Sequence, residues 1–146
     1  MTRRFSTLLA MVLLVLGVAI APASAADSGI GVVQTPKNLA LGKVPLNTTA
    51  VLTFTVTNTG AAPVVNTGFS LSWSGDAGFQ FGSVTLDPGT CELGGTLAPG
   101  QACTYSYSGL TATSGKLREG AVCYLIGRVN VADNVCSKFT LVIGKR

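Results

Sequence analysis

The clearest regularity in the chain is an alternation of apolar and polar side chains between residues 49 and 57. The even positions are all apolar, and the odd positions other than Val51 are threonines: Thr49, Thr53, Thr55 and Thr57. Successive side chains of a β-strand point to opposite faces of its sheet. The alternation therefore predicts a half-buried strand with an apolar face on a core and a threonine face in water.

The same two-residue period recurs along the rest of the chain. Apolar or aromatic side chains share one parity in four further runs: Val65, Phe69, Leu71 and Trp73; Cys103, Tyr105 and Tyr107; Ala121, Cys123, Leu125, Val129 and Val131; and Val135, Phe139, Leu141 and Ile143. Glycine, proline and asparagine separate these runs, as turns require. The spacing of an amphipathic helix is not sustained over three turns anywhere. The pattern predicts an all-β chain of about seven strands in an antiparallel sandwich of two sheets, with Trp73 in the core.

The first 25 residues have the layout of a secretory signal peptide. Two arginines precede an apolar run over residues 8–20, and the small residues 23–25 follow it as a cleavage motif. The apolar run is shorter than the roughly 20 residues that a membrane-spanning helix needs, which argues against an uncleaved anchor. We therefore expect cleavage after Ala25 or Ala26.

Cleavage divides the chain into three parts. Residues 1–25 are expected to form the signal peptide, residues 26–37 a flexible N-terminal arm or a short edge strand, and residues 38–146 one sandwich domain. We expect no transmembrane segment after processing, because no second apolar run is long enough. The expected location is outside the cytoplasm: secreted, periplasmic or associated with the cell surface.

The charge of the chain argues against nucleic-acid binding. The net charge of +4 falls when the leader is removed, because two of the ten basic residues and none of the six acidic residues lie in it. Basic residues nowhere alternate with aromatic ones along the sequence. Nucleic-acid binding needs basic residues concentrated on one face, and this pattern does not provide them.

Four cysteines remain after processing: Cys91, Cys103, Cys123 and Cys136. An even number in a small exported domain is typical of disulfides, because the compartments outside the cytoplasm are oxidising. Zinc sites need C-x-x-C pairs or histidine ligands, and redox-active thiols commonly use the same C-x-x-C motif. The sequence has neither such a pair nor any histidine. Structural disulfides are therefore favoured over a metal site or free thiols.

The sequence offers little for catalysis. Without histidine, the Ser-His and Cys-His nucleophile pairs are absent, and so is the commonest general base. The acidic residues lie mostly beside glycine or proline, which is typical of turns, and no glycine motif for nucleotide binding occurs. Asp76 and Asp87 are interpreted as solvated turn residues rather than calcium ligands. We therefore expect no enzyme activity, no cofactor and no metal.

Three segments in a fixed order carry a resemblance to a known family. They are "LALGKVPLNTTAVLTFTVTNTGAAPV" (39–64), "SGDAGFQF" (74–81) and "CELGGTLAPGQACTYSY" (91–107). Together they resemble the bacterial immunoglobulin-like module called choice-of-anchor D. That module is grouped with the Hydin-like (ASH) modules of the major sperm protein/PapD-like sandwiches. The match covers residues 39–108, a little under half of the chain.

The resemblance implies an immunoglobulin-like sandwich and a disulfide between Cys91 and Cys103. Between these cysteines, Pro99-Gly100 can reverse the chain and so bring both thiols within bonding distance. The resemblance also implies a module that occurs within larger exported proteins and serves surface display and assembly.

The last 38 residues depart from the family pattern and add two further cysteines. Cys123 and Cys136 would pair with each other by elimination. The alternation puts Cys123 on the inward parity and Cys136 on the outward one. Such a bond therefore needs a bulge, or a loop position for Cys136.

The expected function is that of an exported structural or adhesive module, with an exported protein, a cell-envelope component or a second copy as its partner. Contact would be made through an edge strand or a sheet face. The candidate partner face is the uncharged threonine row: Thr49, Thr53, Thr55 and Thr57. A competing hypothesis is a small-ligand or carbohydrate-binding domain with aromatic platforms: Trp73, Tyr105, Tyr107 and Tyr124.

The leader gives a direct prediction. Protein recovered from the exported fraction should begin at Ala26 or Asp27, because signal peptidase cuts after a small-residue motif that follows a short apolar run. N-terminal sequencing checks this. Exported protein that still begins at Met1 or Thr2 would contradict the assignment of a cleaved leader.

Overall fold

The structure, a computed structural model, describes residues 26–27, 31–45, 47–75, 80–114, 117–128 and 131–144. These ranges contain eleven β-strands: β1 (Ala26–Asp27), β2 (Val32–Thr35), β3 (Asn38–Pro45), β4 (Thr49–Asn58), β5 (Val64–Gly75), β6 (Gln80–Phe81), β7 (Thr85–Asp87), β8 (Thr96–Leu97), β9 (Ala102–Ser114), β10 (Leu117–Arg128) and β11 (Val131–Gly144). In this part of the chain no helix has the length and hydropathy needed to cross a membrane. The predicted signal peptide lies outside the described residues.

The strands form two sheets. In sheet 1 the order is β1-β2-β4-β9, and both β6 and β7 pair with the far side of β9. In sheet 2 the order is β3-β11-β10-β5-β8. All pairs are antiparallel except β3 with β11. In immunoglobulin-like terms, β2, β4, β9 and β7 occupy the places of strands A, B, E and D, and β5, β10 and β11 those of C, F and G.

The all-β, two-sheet prediction is confirmed, but the described residues hold eleven strands instead of about seven. Three of these strands, β1, β6 and β8, are two residues long. Alternation becomes recognisable only over four or more residues, so strands this short leave no pattern in the sequence.

Of the two possibilities for residues 26–37, a flexible arm or a short edge strand, the structure has a strand at residues 32–35. This segment is β2, which pairs with β4, and its side chains Val32 and Gln34 are fully buried. Just before it, Gly31 has φ = 78°, and a Cβ there would lie 2.6 Å from the Cα of Gly60. The strand is difficult to recognise from the sequence, because the polar side chain of Gln34 on the inward face interrupts the apolar alternation.

The core lies between the sheets and follows the predicted parity in two strands of sheet 1. In β4, Leu52, Phe54 and Val56 are buried while the threonines face outward. In β9, Cys103, Tyr105 and Tyr107 are buried, as predicted.

In β10 the predicted inward face is wrong by one residue. Val122, Tyr124 and Ile126 are fully buried, whereas Cys123 and Leu125 are half-buried on the outer face. Strand β10 lies between β11 and β5, and its residues 121–126 are apolar or aromatic without a break. A continuous run of this kind does not reveal which parity faces the core.

A β-bulge in β5 explains one further difference, at Val65. The register with β10 shifts between Asn66 and Gly68, so the inward parity changes from even to odd residues along the strand. Val65, predicted to be inward, is therefore 37% exposed. Trp73 keeps the inward parity, but it is 41% exposed and not buried in the core as predicted. Its ring contacts Phe81 at a ring-centroid distance of 5.2 Å.

Both pairs of cysteines form disulfides. Cys91 is bonded to Cys103 and Cys123 to Cys136, with Cα–Cα distances of 5.0 and 4.1 Å. Cys123 and Cys136 lie directly opposite each other in the register of β10 and β11. Since both side chains lie on the outer face of sheet 2, the second bond needs neither a bulge nor a loop position.

A buried polar bridge joins the two sheets. The Tyr105 hydroxyl of sheet 1 donates to Gln34 Oε1 at 2.9 Å, and Gln34 Nε2 donates to the Val122 carbonyl of sheet 2 at 2.9 Å. Gln34 is fully buried and Tyr105 is 1% exposed. Buried amides and hydroxyls are tolerated when they are hydrogen-bonded, so this bridge makes the polar core position compatible with folding.

Replacing only one end of the bridge should therefore be costly. We expect Gln34→Leu to lower the free energy of unfolding by about 1–3 kcal/mol, because the Tyr105 hydroxyl stays buried without its acceptor. The double variant with Tyr105→Phe should lose less than the sum of the two single changes, since both polar ends are then removed. Urea unfolding of the oxidised protein measures each variant. If the losses of unfolding free energy in the two single variants sum to the loss in the double variant, the bridge is contradicted.

Candidate functional site

The outer face of sheet 1 is built from side chains of two central strands, β4 and β9. We call it the threonine face, and it comprises Thr49, Val51, Thr53, Thr55 and Thr57 on β4 with Thr104, Ser106 and Ser108 on β9. Thr53 lies opposite Ser106 and Thr55 opposite Thr104 in the antiparallel register. The four predicted threonines therefore share one surface, and the serines and the threonine of β9 extend it.

The surface of the threonine face is a mixture of hydroxyl and methyl groups. Thr49 and Thr53 are exposed, Thr55 and Thr57 are half-buried, and Val51 is 54% exposed. Cross-strand hydroxyl contacts order part of it, since the Oγ1 atoms of Thr55 and Thr104 lie 3.4 Å apart. Such pairs hold the side chains in place and reduce the freedom lost when a partner binds.

The threonine face carries no formal charge. Strands β2, β4 and β9 contain no aspartate, glutamate, lysine or arginine. Asp87 lies at its rim on β7, where one carboxylate oxygen accepts the amide of Gly89 at 3.0 Å within a turn. A partner can therefore approach this surface without desolvating an ionised side chain.

The neighbours of β4 limit how a partner can contact it. The sequence left open that the threonine strand could add a partner strand through its backbone. Strand β4 pairs with β9 over residues 49–57, whereas on its other side it pairs with β2 only at residues 55–58. On that side the described strands leave residues 49–54 unpaired, and the side-chain face of β4 is available for contact as well.

The predicted aromatic platforms are not brought together on a surface. Tyr105, Tyr107 and Tyr124 are at most 6% exposed, and Tyr105 packs against the ring of Tyr124 at a centroid distance of 6.2 Å. Of the four predicted rings only Trp73 reaches solvent. It borders a cavity of about 240 Å³ that is also lined by Glu119, which forms an ion pair with Lys138.

A second cavity, of about 400 Å³, opens beside the Cys91–Cys103 bond and is also lined by Glu92, Gln101 and Tyr124. The Tyr124 hydroxyl is buried and has no hydrogen-bond partner among the described residues. None of the described histidine, cysteine, aspartate or glutamate side chains forms a group of three that could hold a metal ion. Among the described residues, this cavity therefore has no metal-ligand set.

Comparison with known proteins gives the fold. No protein-family model matches the sequence, and no curated protein matches it. Among solved structures, PapD-like domain 7 (ASH) of human CEP192 has a TM-score of 0.56 at 11% identity, with 80% of this chain and 87% of that chain covered. The chain folds as an immunoglobulin-like, PapD-like sandwich. The narrower resemblance to choice-of-anchor D is not matched by these comparisons.

Two proteases of Vibrio cholerae are also similar in structure. The VesB protease has a TM-score of 0.57 at 22% identity over 78% of this chain, and this chain spans 32% of VesB. The secreted serine protease VesC has a TM-score of 0.48 at 18% identity, with 71% of this chain and 21% of that chain covered.

The likeness to VesB corrects one expectation. The sequence predicted that the protein is not an enzyme, but its fold occurs within the chain of a protease. The absence of histidine and of nucleotide-binding motifs is therefore not evidence against enzyme function in a chain of this size. A sandwich of this fold can make up about a third of an enzyme's chain, as it does in VesB.

The buried tyrosines generate a pH prediction. Burial raises the pKa of Tyr124 to about 12, and burial also raises the pKa values of Tyr105 and Tyr107. A raised pKa favours the protonated folded state, so this contribution to stability is complete below the unfolded value near 10 and is lost as the pH rises towards about 12. These are the three tyrosines of the chain. Tyrosinate absorbance should therefore appear together with unfolding, whereas urea-unfolded protein should titrate near 10. A tyrosine that ionises near pH 10 in folded protein would contradict the burial.

Proposed function

We propose that this protein is an exported immunoglobulin-like interaction module whose threonine face binds an exported protein. The single observation that carries the proposal is the uncharged threonine face, eight residues on two central strands. The signal-peptide pattern and the two disulfides support a location in an oxidising compartment outside the cytoplasm.

The composition of the threonine face suits protein contact. The buried centre of a protein interface is depleted in charged residues, and this face has none. Val51, at 54% exposure, supplies apolar area within the row of hydroxyls. The partner is therefore a surface that is itself neutral and can accept or donate hydrogen bonds to threonine and serine. An envelope component or a second copy of the chain can present such a surface too.

A second candidate function is favoured by the likeness to VesB. VesB is a protease, and about a third of its chain has this fold. The candidate partner in this case is an exported enzyme that the sandwich accompanies, with the threonine face turned towards it. The two candidates differ in the partner and not in the surface.

Placing a charge in the middle of the threonine face tests both. Thr53→Lys should weaken partner binding by at least about tenfold, because an unpaired ammonium would be buried at the contact. Folding should change by no more than about 0.5 kcal/mol, since Thr53 is exposed and makes an ordinary cross-strand pair with Ser106. The binding is measured by titrating each purified variant against the partner captured from the exported fraction and identified by mass spectrometry.

A matched control is available on the opposite sheet. Thr140 is an exposed threonine on β11, and its side chain lies on the outer face of sheet 2. Thr140→Lys should bind the partner as the native protein does. Equal binding by Thr53→Lys and native protein would overturn the threonine face as the contact, and a captured enzyme would select the second candidate over the first.

A further inference from the structure

Among the described residues, one side of β5 in sheet 2 is unpaired over about half of its length. Strand β5 pairs with β10 from Val65 to Gly75, but its other side pairs with β8 only at Val64 and Val65. Hydrogen bonds between Asn66 and the 94–95 turn end this contact. From Phe69 to Gly75, no strand among the described ranges lies against that side of β5.

The backbone groups along this free edge point outward in a regular row. Cys123 faces Cys136 with a Cα–Cα distance of 4.1 Å, which is the spacing of a non-hydrogen-bonded pair. The backbone groups of Cys123 therefore point to β5, where its partner is Ser70. Because direction alternates along a strand, the N–H and C=O groups of Phe69 and Leu71 point away from β10, to the free side.

The inward side chains beside this edge are incompletely covered. Phe69 and Leu71 pack on the core but are only half-buried, and Trp73 is 41% exposed. Across the gap, Leu86 of β7 lies opposite the buried Tyr107 and so shares its inward direction, yet it is 38% exposed. Inward apolar residues in a closed sandwich are buried, so the flank between β5 and β7 has an uncovered apolar row.

The free edge also lacks the usual protection against strand addition. Natural edge strands carry lysine, proline or inward charges that oppose pairing with another chain. Residues 64–75 contain none of these: the sequence is VVNTGFSLSWSG. The segment 69–74 alternates apolar side chains inward with serines outward, so an incoming strand meets no charge on either face.

We propose that the free edge of β5 pairs antiparallel with the same edge of a second copy. Sheet 2 of one copy and sheet 2 of the other then form one continuous sheet across a two-fold axis. The occupant of this edge must be extended, uncharged and apolar on alternate residues, and β5 itself has all three properties. A two-fold axis perpendicular to the sheet leaves the inward faces of both copies on the same side. The row Phe69, Leu71 and Trp73 of each copy would then cover that of the other, and serines would face serines on the outside.

This contact is separate from the proposed function, because the threonine face belongs to sheet 1. A dimer through β5 leaves both threonine faces free to bind partners. The two proposals can therefore fail independently.

Charge substitution at an outward serine tests the pairing. Ser72 is exposed and lies opposite Ala121 of β10. Ser72→Lys and Ser72→Glu should each weaken dimerisation by at least about tenfold, because the two-fold axis brings like charges together. An equimolar mixture of the two variants should dimerise again, since opposite charges then meet. Sedimentation over a concentration series measures all three samples. Thr140→Lys, on β11 and away from the free edge, is the matched control, and Thr53→Lys reports whether the threonine face contributes to self-association.

A second measurement does not depend on any variant folding well. In native protein, amide exchange at Leu71 and Trp73 should slow as the concentration rises through the dimerisation range, because those N–H groups acquire acceptors. Native protein that stays monomeric, or a dimer that the lysine–glutamate mixture does not restore, would overturn the proposal. A dimer lost in Thr53→Lys but retained in both Ser72 variants would also overturn it and would assign self-association to the threonine face.

Discussion

The register of β10 between β5 and β11 is the constraint on which the rest of sheet 2 depends. A one-residue slip of a strand moves every side chain to the other face. In the observed register Tyr124 points into the core, while Cys123 meets Cys136 on the outside. The same register decides which backbone groups of β5 are used by β10 and which are left for another strand. The covalent bond between Cys123 and Cys136 fixes the register of β10 against β11 in the oxidised protein.

Sheet 1 is held against sheet 2 by a different kind of contact. Most of the interface is apolar and non-directional, but Gln34 accepts from Tyr105 and donates to the backbone of Val122 across the gap. Hydrogen bonds require a particular distance and direction, so this bridge specifies how the sheets are placed. The outer faces of the two sheets do not take part in this bridge. The two surfaces proposed for contact, the threonine face and the free edge of β5, therefore lie outside the part of the molecule that determines its fold.

The inward and outward faces of a strand were predicted correctly where apolar and polar residues alternate clearly along it. Strand β4 was predicted with its correct faces because threonine and apolar residues occupy opposite parities, and the predicted threonine face is present. Strand β10 was predicted with the wrong face because both parities are apolar. The bulge near Asn66 and the inward Gln34 were missed for a related reason: one changes the parity within a strand, and the other places a polar residue where the pattern needs an apolar one. The free edge of β5 could not be predicted, since strand neighbours are set by long-range pairing that periodicity does not encode.

The parallel pairing of β3 with β11 has a mechanical consequence. These strands lie near opposite ends of the described chain and run in the same direction side by side, from Asn38 beside Lys138 to Pro45 beside Gly144. Tension applied to the two ends pulls them past each other, so their hydrogen bonds are loaded together in shear instead of opening one at a time. The Cys123–Cys136 bond then removes the 12 residues between the two cysteines, 124–135, from the length that can extend. A sandwich built in this way resists stretching at the pair of β3 and β11, and it has less slack to release once these two strands separate.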